Sequence, residues 1–358
     1  LKKIAIVDST LGAGGAEKLI VEMAPILMGK GYDVHVVILT SYGDVYSERL
    51  KEKGVKVSFL SSDNDFLNPR NIFGLIKILK DFDVVYSHVS HAQYAVSMAS
   101  FFINKNVKLI TTEHSNHNNR RGKITYKIIE RIIYSNYDKI IAITNDVSDN
   151  LLRHLGRRFS RKILVINNGI DLNGIRFSEP KSKLDIGFKI DDIVLTMVGR
   201  FAEAKDQLTV IKAMEILPER YKLALIGDGE KKELCVEYVK EAGLNDRVKF
   251  LGFRTDAVSL IKACDVGILS SHWEGQPLSA LEIMACGKPF IGSDVPGIRD
   301  LVPNAMLFIH GNPSDLAKKV SDLIVNSEVA KDNLKISNSI VRNFSIEETT
   351  NKYLDVAL

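Results

Sequence analysis

The stretch Trp273-Glu274-Gly275-Gln276-Pro277-Leu278-Ser279-Ala280-Leu281-Glu282 lies between Ile268-Leu269-Ser270-Ser271 and Cys286-Gly287-Lys288-Pro289. The apolar run Val266 to Leu269 reads as a buried strand, and Leu278 to Ala285 reads as a helix. The loop joining them holds a carboxylate, a glycine and a proline. A helix start behind a glycine-containing turn offers free backbone N–H groups and the positive end of the helix dipole, which suits a phosphate. Glu274 and Glu282 then stand near an anion site, where two acids are costly unless each meets hydroxyls. A ligand that carries both phosphates and hydroxyls, a nucleotide sugar, meets both demands.

Working outward, strand-like runs alternate with amphipathic helix patterns, the mark of parallel α/β architecture. The first half predicts strands at Lys3–Asp8, Asp33–Thr40, Lys56–Leu60, Val84–Ser87, Lys108–Thr112, Lys139–Ile143 and Ile163–Ile166. Helices are expected to begin near Ala16, Pro69, His91, Lys123 and Asn145. The pattern restarts with strands at Val194–Val198, Lys222–Ile226, Val248–Leu251, Val266–Leu269, Pro289–Gly292 and Ala305–Ile309. Several are continuous apolar runs, as expected of strands covered on both faces. The polar stretch Leu172 to Ile190, with Pro180, reads as a linker. Two Rossmann-like domains joined this way are expected to leave a cleft at the carboxyl ends of both sheets.

At 358 residues the chain is long for one core, and its 45% apolar and 26% charged residues are those of an ordinary globular protein. No apolar stretch approaches the roughly 18–20 residues that span a bilayer. The opening Leu1-Lys2-Lys3-Ile4-Ala5-Ile6-Val7 reads as a strand rather than a signal peptide. Cys235, Cys264 and Cys286 lack CxxC spacing and fit a reducing cytoplasm. Neither His nor Cys clusters at metal-ligand spacing and no Asp-x-Asp pair ends a strand, so no metal is expected. Residues 1–170 carry 24 Lys+Arg against 16 Asp+Glu, and residues 171–358 carry 24 against 28. That asymmetry supports two domains with different surroundings.

Several strand ends carry candidate chemistry. Gly12-Ala13-Gly14-Gly15-Ala16-Glu17 opens the first helix, where glycines let backbone approach an anion. Glu17 replaces the third glycine of a dinucleotide fingerprint and no acid follows the second strand, so the loop reads as ligand-facing but not as an NAD site. Gly199-Arg200 and Lys205 place two cations at a strand's carboxyl end. A diphosphate leaving group gains charge as its glycosidic bond breaks, and fixed cations stabilise that charge most in the transition state. Glu113-His114 ends another strand, where His114 could donate to a sugar hydroxyl or phosphate oxygen, or serve as a structural histidine. His88 and His91 carry less weight. Asn167-Asn168-Gly169 reads as a tight turn closing the first half. Gly227-Asp228-Gly229 and Gly252-Phe253-Arg254 are strand-end turns; a nucleotide base could rest on Phe253 or Arg254, or both turns could be purely structural. Arg120, Arg121, Lys123, Lys127 and Arg131 are interleaved with isoleucines, and Arg153, Arg157, Arg158, Arg161 and Lys162 follow. Such clusters suit an anionic membrane surface, an acceptor phosphate or plain solvation. Nucleic acid fits poorly, since no recognised binding module accompanies the charge.

With these motifs assembled, the chain resembles the retaining GT-B glycosyltransferases of family 4, the transferases of bacterial lipopolysaccharide, capsule and exopolysaccharide. The resemblance spans the full length and rests on Gly14-Gly15-Ala16-Glu17, Glu113-His114, Asn168-Gly169-Ile170-Asp171, Gly199-Arg200 with Lys205, Gly227-Asp228-Gly229 and the Glu274/Glu282 pair, in the family's order. It implies an α/β GT-B fold, two Rossmann-like parallel-sheet domains facing each other across a cleft. The domains would be 1–171 on the acceptor side and 172–344 on the donor side, with the helix 345–358 crossing back onto the first.

The resemblance also implies roles. Glu282 would bind the donor ribose and Glu274 the donor sugar near its reacting carbon. Backbone groups around Gln276, Pro277, Leu278 and Ser279 would hold sugar and distal phosphate. Arg200 and Lys205 would bind the diphosphate in place of a metal, with Gly14, Gly15 and Gly199 close by and His114 on the sugar. The implied reaction moves a sugar from a nucleoside-diphosphate sugar, UDP by family frequency, to a glycan or lipid-linked glycan. It would proceed with retention and without metal or other cofactor, in the cytoplasm at the inner face of the membrane. An anionic membrane would meet the basic N-terminal domain, and no nucleic acid is expected. Small departures from the family pattern are Asn167 where Pro commonly stands, Asp300 in place of Glu, and Ser115 after His114. Two other readings are a GT-B-fold nucleotide-sugar epimerase and a non-catalytic sugar-nucleotide-binding protein.

Overall fold

A computed structural model describes residues 2–66, 68–104, 106–115 and 124–357. The chain divides into two compact units, Leu1–Gly169 with Ile346–Leu358, and Ile170–Ser345. In the first, β1 (Lys3–Asp8), β2 (Asp33–Thr40), β3 (Lys56–Ser61), β4 (Val84–His88), β5 (Lys108–Glu113), β6 (Lys139–Ala142) and β7 (Ile163–Val165) form one sheet. Its order is β3-β2-β1-β4-β5-β6-β7, with every pairing parallel. Parallel neighbours need crossovers, supplied here by α1 (Gly15–Gly29), α2 (Ser47–Glu52), α3 (Pro69–Leu79), α4 (Ser90–Ala99), α5 (Ile124–Ser135) and α6 (Asn145–Leu155). Helices cover both faces, which is why β2 is buried at every position after Asp33. Helix starts are written locally. Asn68 accepts the N–H of Arg70 ahead of Pro69, and Thr144 accepts that of Val147.

The second unit opens with α7 (Leu172–Phe177) and builds the sheet β10-β9-β8-β11-β12-β13, again all parallel. Its strands are β8 (Ile193–Val198), β9 (Tyr221–Ile226), β10 (Val248–Phe250), β11 (Val266–Leu269), β12 (Phe290–Ser293) and β13 (Leu307–Phe308). Its further helices are α8 (Gln207–Ile216), α9 (Lys232–Glu241), α10 (Ala257–Ala263), α11 (Leu278–Ala285), α12 (Pro313–Val325) and α13 (Ser327–Val341). The chain then returns to the first unit as α14 (Ile346–Ala357), which packs on α1. Ile346, Thr349, Thr350, Tyr353, Leu354 and Ala357 are buried, the spacing of one helical face. Tyr353 stacks on His88, shares a 3.1 Å hydrogen bond with Thr112 Oγ1, and accepts the Tyr86 hydroxyl on its carbonyl at 2.6 Å.

Three sequence expectations change. Leu172 to Ile190 is not a linker: it folds as α7 and a 3-10 turn, and Ile175, Ile186 and Phe188 are buried. The polar residues that suggested a linker are the caps and turns of this packed segment. Asn167-Asn168-Gly169 is more than a tight turn, because Asn168 is buried and the Asn167 carbonyl accepts the Thr349 hydroxyl of α14. The strand expected at Ala305–Ile309 shrinks to two residues behind a 3-10 turn. Arg120, Arg121 and Lys123 lie outside the described residues.

Several ionisable groups are buried in the first unit. Asp8, at the carboxyl end of β1, is held well above the carboxylate range by burial and then by Glu17. His35 on β2 meets Ser58 Oγ at 2.9 Å, and burial followed by the Lys56 charge pushes it down to about 4. Folded His35 therefore binds a proton more weakly than the unfolded chain does. The stability it contributes is complete above its ordinary value of 6.5 and is lost as pH falls from there towards about 4. We expect thermal midpoints to drop across that window, with a shallower slope in His35→Gln, whose neutral amide keeps a partner for Ser58. An unchanged slope in the variant would contradict this.

Candidate active site

In an open parallel sheet the crevice for a ligand forms where the strand order reverses, outside the carboxyl ends. In the second sheet that point lies between β8 and β11. The two loops leaving these strands are fastened to each other. Lys205 and Ser271 form an antiparallel bridge, Asp206 N–H donates to the Ser270 carbonyl at 3.0 Å, and His272 N–H donates to that of Ala204 at 2.8 Å. Backbone hydrogen bonds thus help bring together residues far apart in sequence.

At this junction Lys205 Nζ donates to Glu274 Oε1 in an ion pair whose side chains are only 17% and 10% exposed. Ser271 Oγ donates to the same oxygen at 2.6 Å. Ser271 is itself fixed by Ser293, whose hydroxyl accepts the Ser271 N–H at 2.9 Å and donates to its carbonyl at 3.0 Å. Gly297 holds the loop from outside. It has φ +84°, and a side chain there would stand 2.7 Å from the Glu274 carbonyl oxygen. Gly199 lies against the Lys205 stem, where an added Cβ would meet Cε at 3.5 Å. Ser271, Ser293 and Gly297 were not singled out from sequence; the pair Ser270-Ser271 following an apolar strand is the one signal that could have marked them.

Glu274 is followed directly by α11. Pro277 is its N-cap and its carbonyl accepts Ala280 N–H at 3.1 Å, while no side chain caps the helix start. A helix start without a side-chain cap presents N–H groups and partial positive charge to an anion. Pro277 and Leu278 are buried, and Gln276 and Ser279 are half-buried. Glu282 lies in the second turn of α11 with its side chain buried.

The other proposed donor residues are placed differently. Arg200 is exposed and pairs with Glu230 at 3.3 Å, so it does not join the Lys205–Glu274 cluster. Arg254 is held in a fork by Asp256, with both bonds at 2.7 Å, and Phe253 beside it is half-buried. The loops after β8, β9 and β10 are nonetheless tied together. Phe201 N–H donates to the Asp228 carbonyl at 2.9 Å, and Gly227 N–H donates to that of Gly252 at 2.8 Å.

In the first unit the reversal falls between β1 and β4. Gly14 is the N-cap of α1 without a side-chain cap, and the Glu17 carboxylate folds back over it, so an added Cβ on Gly14 would sit 3.1 Å from Oε1. The Glu17 carboxylate thus occupies the space beside Gly14. His114, just past β5, shares a 3.0 Å bond between its Nε2 and His88 Nδ1. Burial pushes His114 down to about 4 and His88 well below its usual value, so both are neutral near pH 7. The buried Nε2 of His88 has no partner among the described residues. An orphaned buried N–H is rarer than an orphaned acceptor, so the proton belongs on His88 Nδ1. His114 Nε2 then accepts, which leaves His114 Nδ1–H as its donor.

Two family models match the chain, "Glycosyltransferase Family 4" over residues 13–173 and "Glycosyl transferases group 1" over residues 178–338. A relative from Escherichia coli, UDP-Gal:alpha-D-GlcNAc-diphosphoundecaprenol alpha-1,3-galactosyltransferase, is 28% identical over 310 residues, 80% of this chain and 78% of that one. A second, from Campylobacter jejuni, is an N-acetylgalactosaminyltransferase acting on a diphospho-undecaprenol-linked sugar, 25% identical over 84% of this chain and 83% of its own length. Among solved structures, Anabaena HepE in complex with UDP and glucose superposes with a TM-score of 0.86 at 22% identity, over 99% of both chains. The two Rossmann-like parallel sheets are those of the GT-B fold. Two models that meet end to end across both units leave one conclusion: the chain belongs to the glycosyltransferases of group 1, family 4.

Proposed function

We propose that this glycosyltransferase moves a sugar from a UDP-sugar to a lipid-linked glycan in cell-surface polysaccharide synthesis, with retention and without a metal. The observation that carries the reading is the largely buried Lys205–Glu274 pair beside the uncapped start of α11. Lys205 has three ammonium protons and spends one on Glu274, so others can reach phosphate oxygens. As the glycosidic C–O bond breaks, charge grows on the leaving diphosphate, and a fixed ammonium and helix N–H groups stabilise it with little reorganisation. Glu274 would accept from a hydroxyl of the donor sugar, and Glu282 from the ribose. Arg200 would exchange Glu230 for phosphate, and His114 would donate through Nδ1–H to the sugar. The acceptor hydroxyl would attack on the face the diphosphate leaves, giving its proton to the departing phosphate oxygen. UDP is supported by the relative named for UDP-Gal and by the UDP held in HepE, and the lipid-linked acceptor by both bacterial relatives.

A membrane-borne acceptor finds support in α5. Its inward side carries Glu130, bonded to Tyr94 at 2.7 Å and His154 at 2.8 Å, and Tyr134, bonded to Glu113 at 2.6 Å. Ile124, Ile128, Ile129 and Ile132 are exposed, while Ile133 packs against the core. An exposed apolar stripe beside Lys127 and Arg131 suits an anionic bilayer surface. No described helix is long and apolar enough to cross a membrane.

Steady-state kinetics with the UDP-sugar separate the roles. Lys205→Ala should lower kcat by about 10²–10³-fold, the usual loss for one donor to a developing charge. Glu282→Ala should act mainly through KM. Wild-type turnover in an Arg200/Lys205 double alanine variant would overturn the mechanism, and product formed without acceptor would favour an epimerase. For the membrane, Ile128→Asp and Ile132→Asp should each weaken binding to phosphatidylglycerol vesicles about tenfold or more, the value of one buried isoleucine. Unchanged binding would remove α5 from the account.

A further inference from the structure

We propose that Asp206, His272 and His310 bind one divalent transition-metal ion of the zinc class. Each offers one ligand atom, and all three atoms lie within 4.8 Å of one another. The residues come from three loops at the carboxyl edge of the second sheet, after β8, β11 and β13. His272 Nδ1 and His310 Nε2 stand 2.8 Å apart with their rings at 90°. Two imidazoles meeting nitrogen to nitrogen share a proton that a metal ion can replace. Zn–N bonds of about 2.0–2.1 Å in tetrahedral geometry set the two nitrogens about 3.3 Å apart, so a small opening admits the ion.

The third ligand is the most firmly held. Asp206 is buried, and its carboxylate accepts from Thr209 N–H and from Ser270 Oγ, both at 3.2 Å. Such outer bonds orient a ligating group, and a carboxylate has about four acceptor sites, so two bonds leave room for an ion. The Asp206–Ser270 and Ala204–His272 backbone bonds already hold two of the loops in register. His310 is placed by the neighbouring Ile309, whose N–H donates to Asp315 Oδ2 at 2.7 Å. Two imidazoles and one carboxylate suit zinc, copper or nickel, whereas magnesium and calcium want oxygen alone. The buried thiols compete poorly, since burial pushes Cys235 up to about 11 and Cys264 up to about 12. Because Asp206 follows Lys205 and His272 precedes Glu274 by two residues, the ion would tie together the loops that carry the proposed donor pair. The site goes beyond the transfer reaction, which needs no metal in the reading above.

The test is calorimetric titration of the metal-free full chain with zinc chloride in the absence of nucleotide, together with thermal midpoints. One ion per chain and a raised midpoint are expected, with magnesium chloride giving no shift. Cobalt(II) should give the ligand-field absorption of imidazole coordination. Loss of a direct ligand in His310→Ala, at an exposed position, should weaken zinc by more than the about 10–100-fold that outer-shell losses cost. His272→Ala should do the same. Absence of one-to-one binding in the wild-type chain, or wild-type zinc affinity in both variants, would overturn the site. No step involves UDP, so failure of the donor reading would leave this result standing.

Discussion

A lysine and a glutamate, both largely withdrawn from water, hold the loops at the switch point of the second sheet. Removing one partner of such a pair typically costs about 3–5 kcal/mol, because the other charge stays buried and uncompensated. The arrangement around Lys205 and Glu274 follows from that penalty. Ser271 donates to the glutamate, Ser293 fixes Ser271, and Gly297 leaves the loop carbonyls the room they need. In the proposed reaction a diphosphate entering here would meet an ammonium already largely withdrawn from water. In that reading the group that pairs with Glu274 would also answer the charge of the reaction.

Much of the fold was legible because both sheets are parallel and covered on two faces. Val266–Leu269 and the centre of β2, Val36–Leu39, announce buried strands by short unbroken apolar runs. The segment after Gly169 was misread for a physical reason. Its caps and turns are polar like a linker, while the residues that anchor it, Ile186 and Phe188, are two apolar positions among many. The short β13 was overextended because Met306 is buried in a 3-10 turn without sheet pairing, while Ile309 at the other end is apolar but exposed.

The site was legible in kind but not in its connections. Lys205 and Glu274 were both proposed from strand-end position, yet nothing in sequence says that they pair. Arg200 was grouped with Lys205 by proximity along the chain, and the structure sends it to Glu230 instead. The Glu17 carboxylate over Gly14 was invisible too, since a helix start looks like an anion site until its own first turn fills it. Asp206, His272 and His310 show the same limit. Metal-ligand spacing is a local signal, and three loops of a sheet can assemble donors that no spacing rule connects.

The central claim is that the second unit binds a nucleoside diphosphate through Lys205 and α11 without a metal. Thermal unfolding in EDTA with UDP, GDP or ADP tests it most directly. A nucleotide at about 100 times its dissociation constant adds about 2.7 kcal/mol of stability, so the account predicts a raised midpoint with UDP that persists in the chelator. No shift with any nucleotide, or a shift that appears only when magnesium is restored, would contradict it.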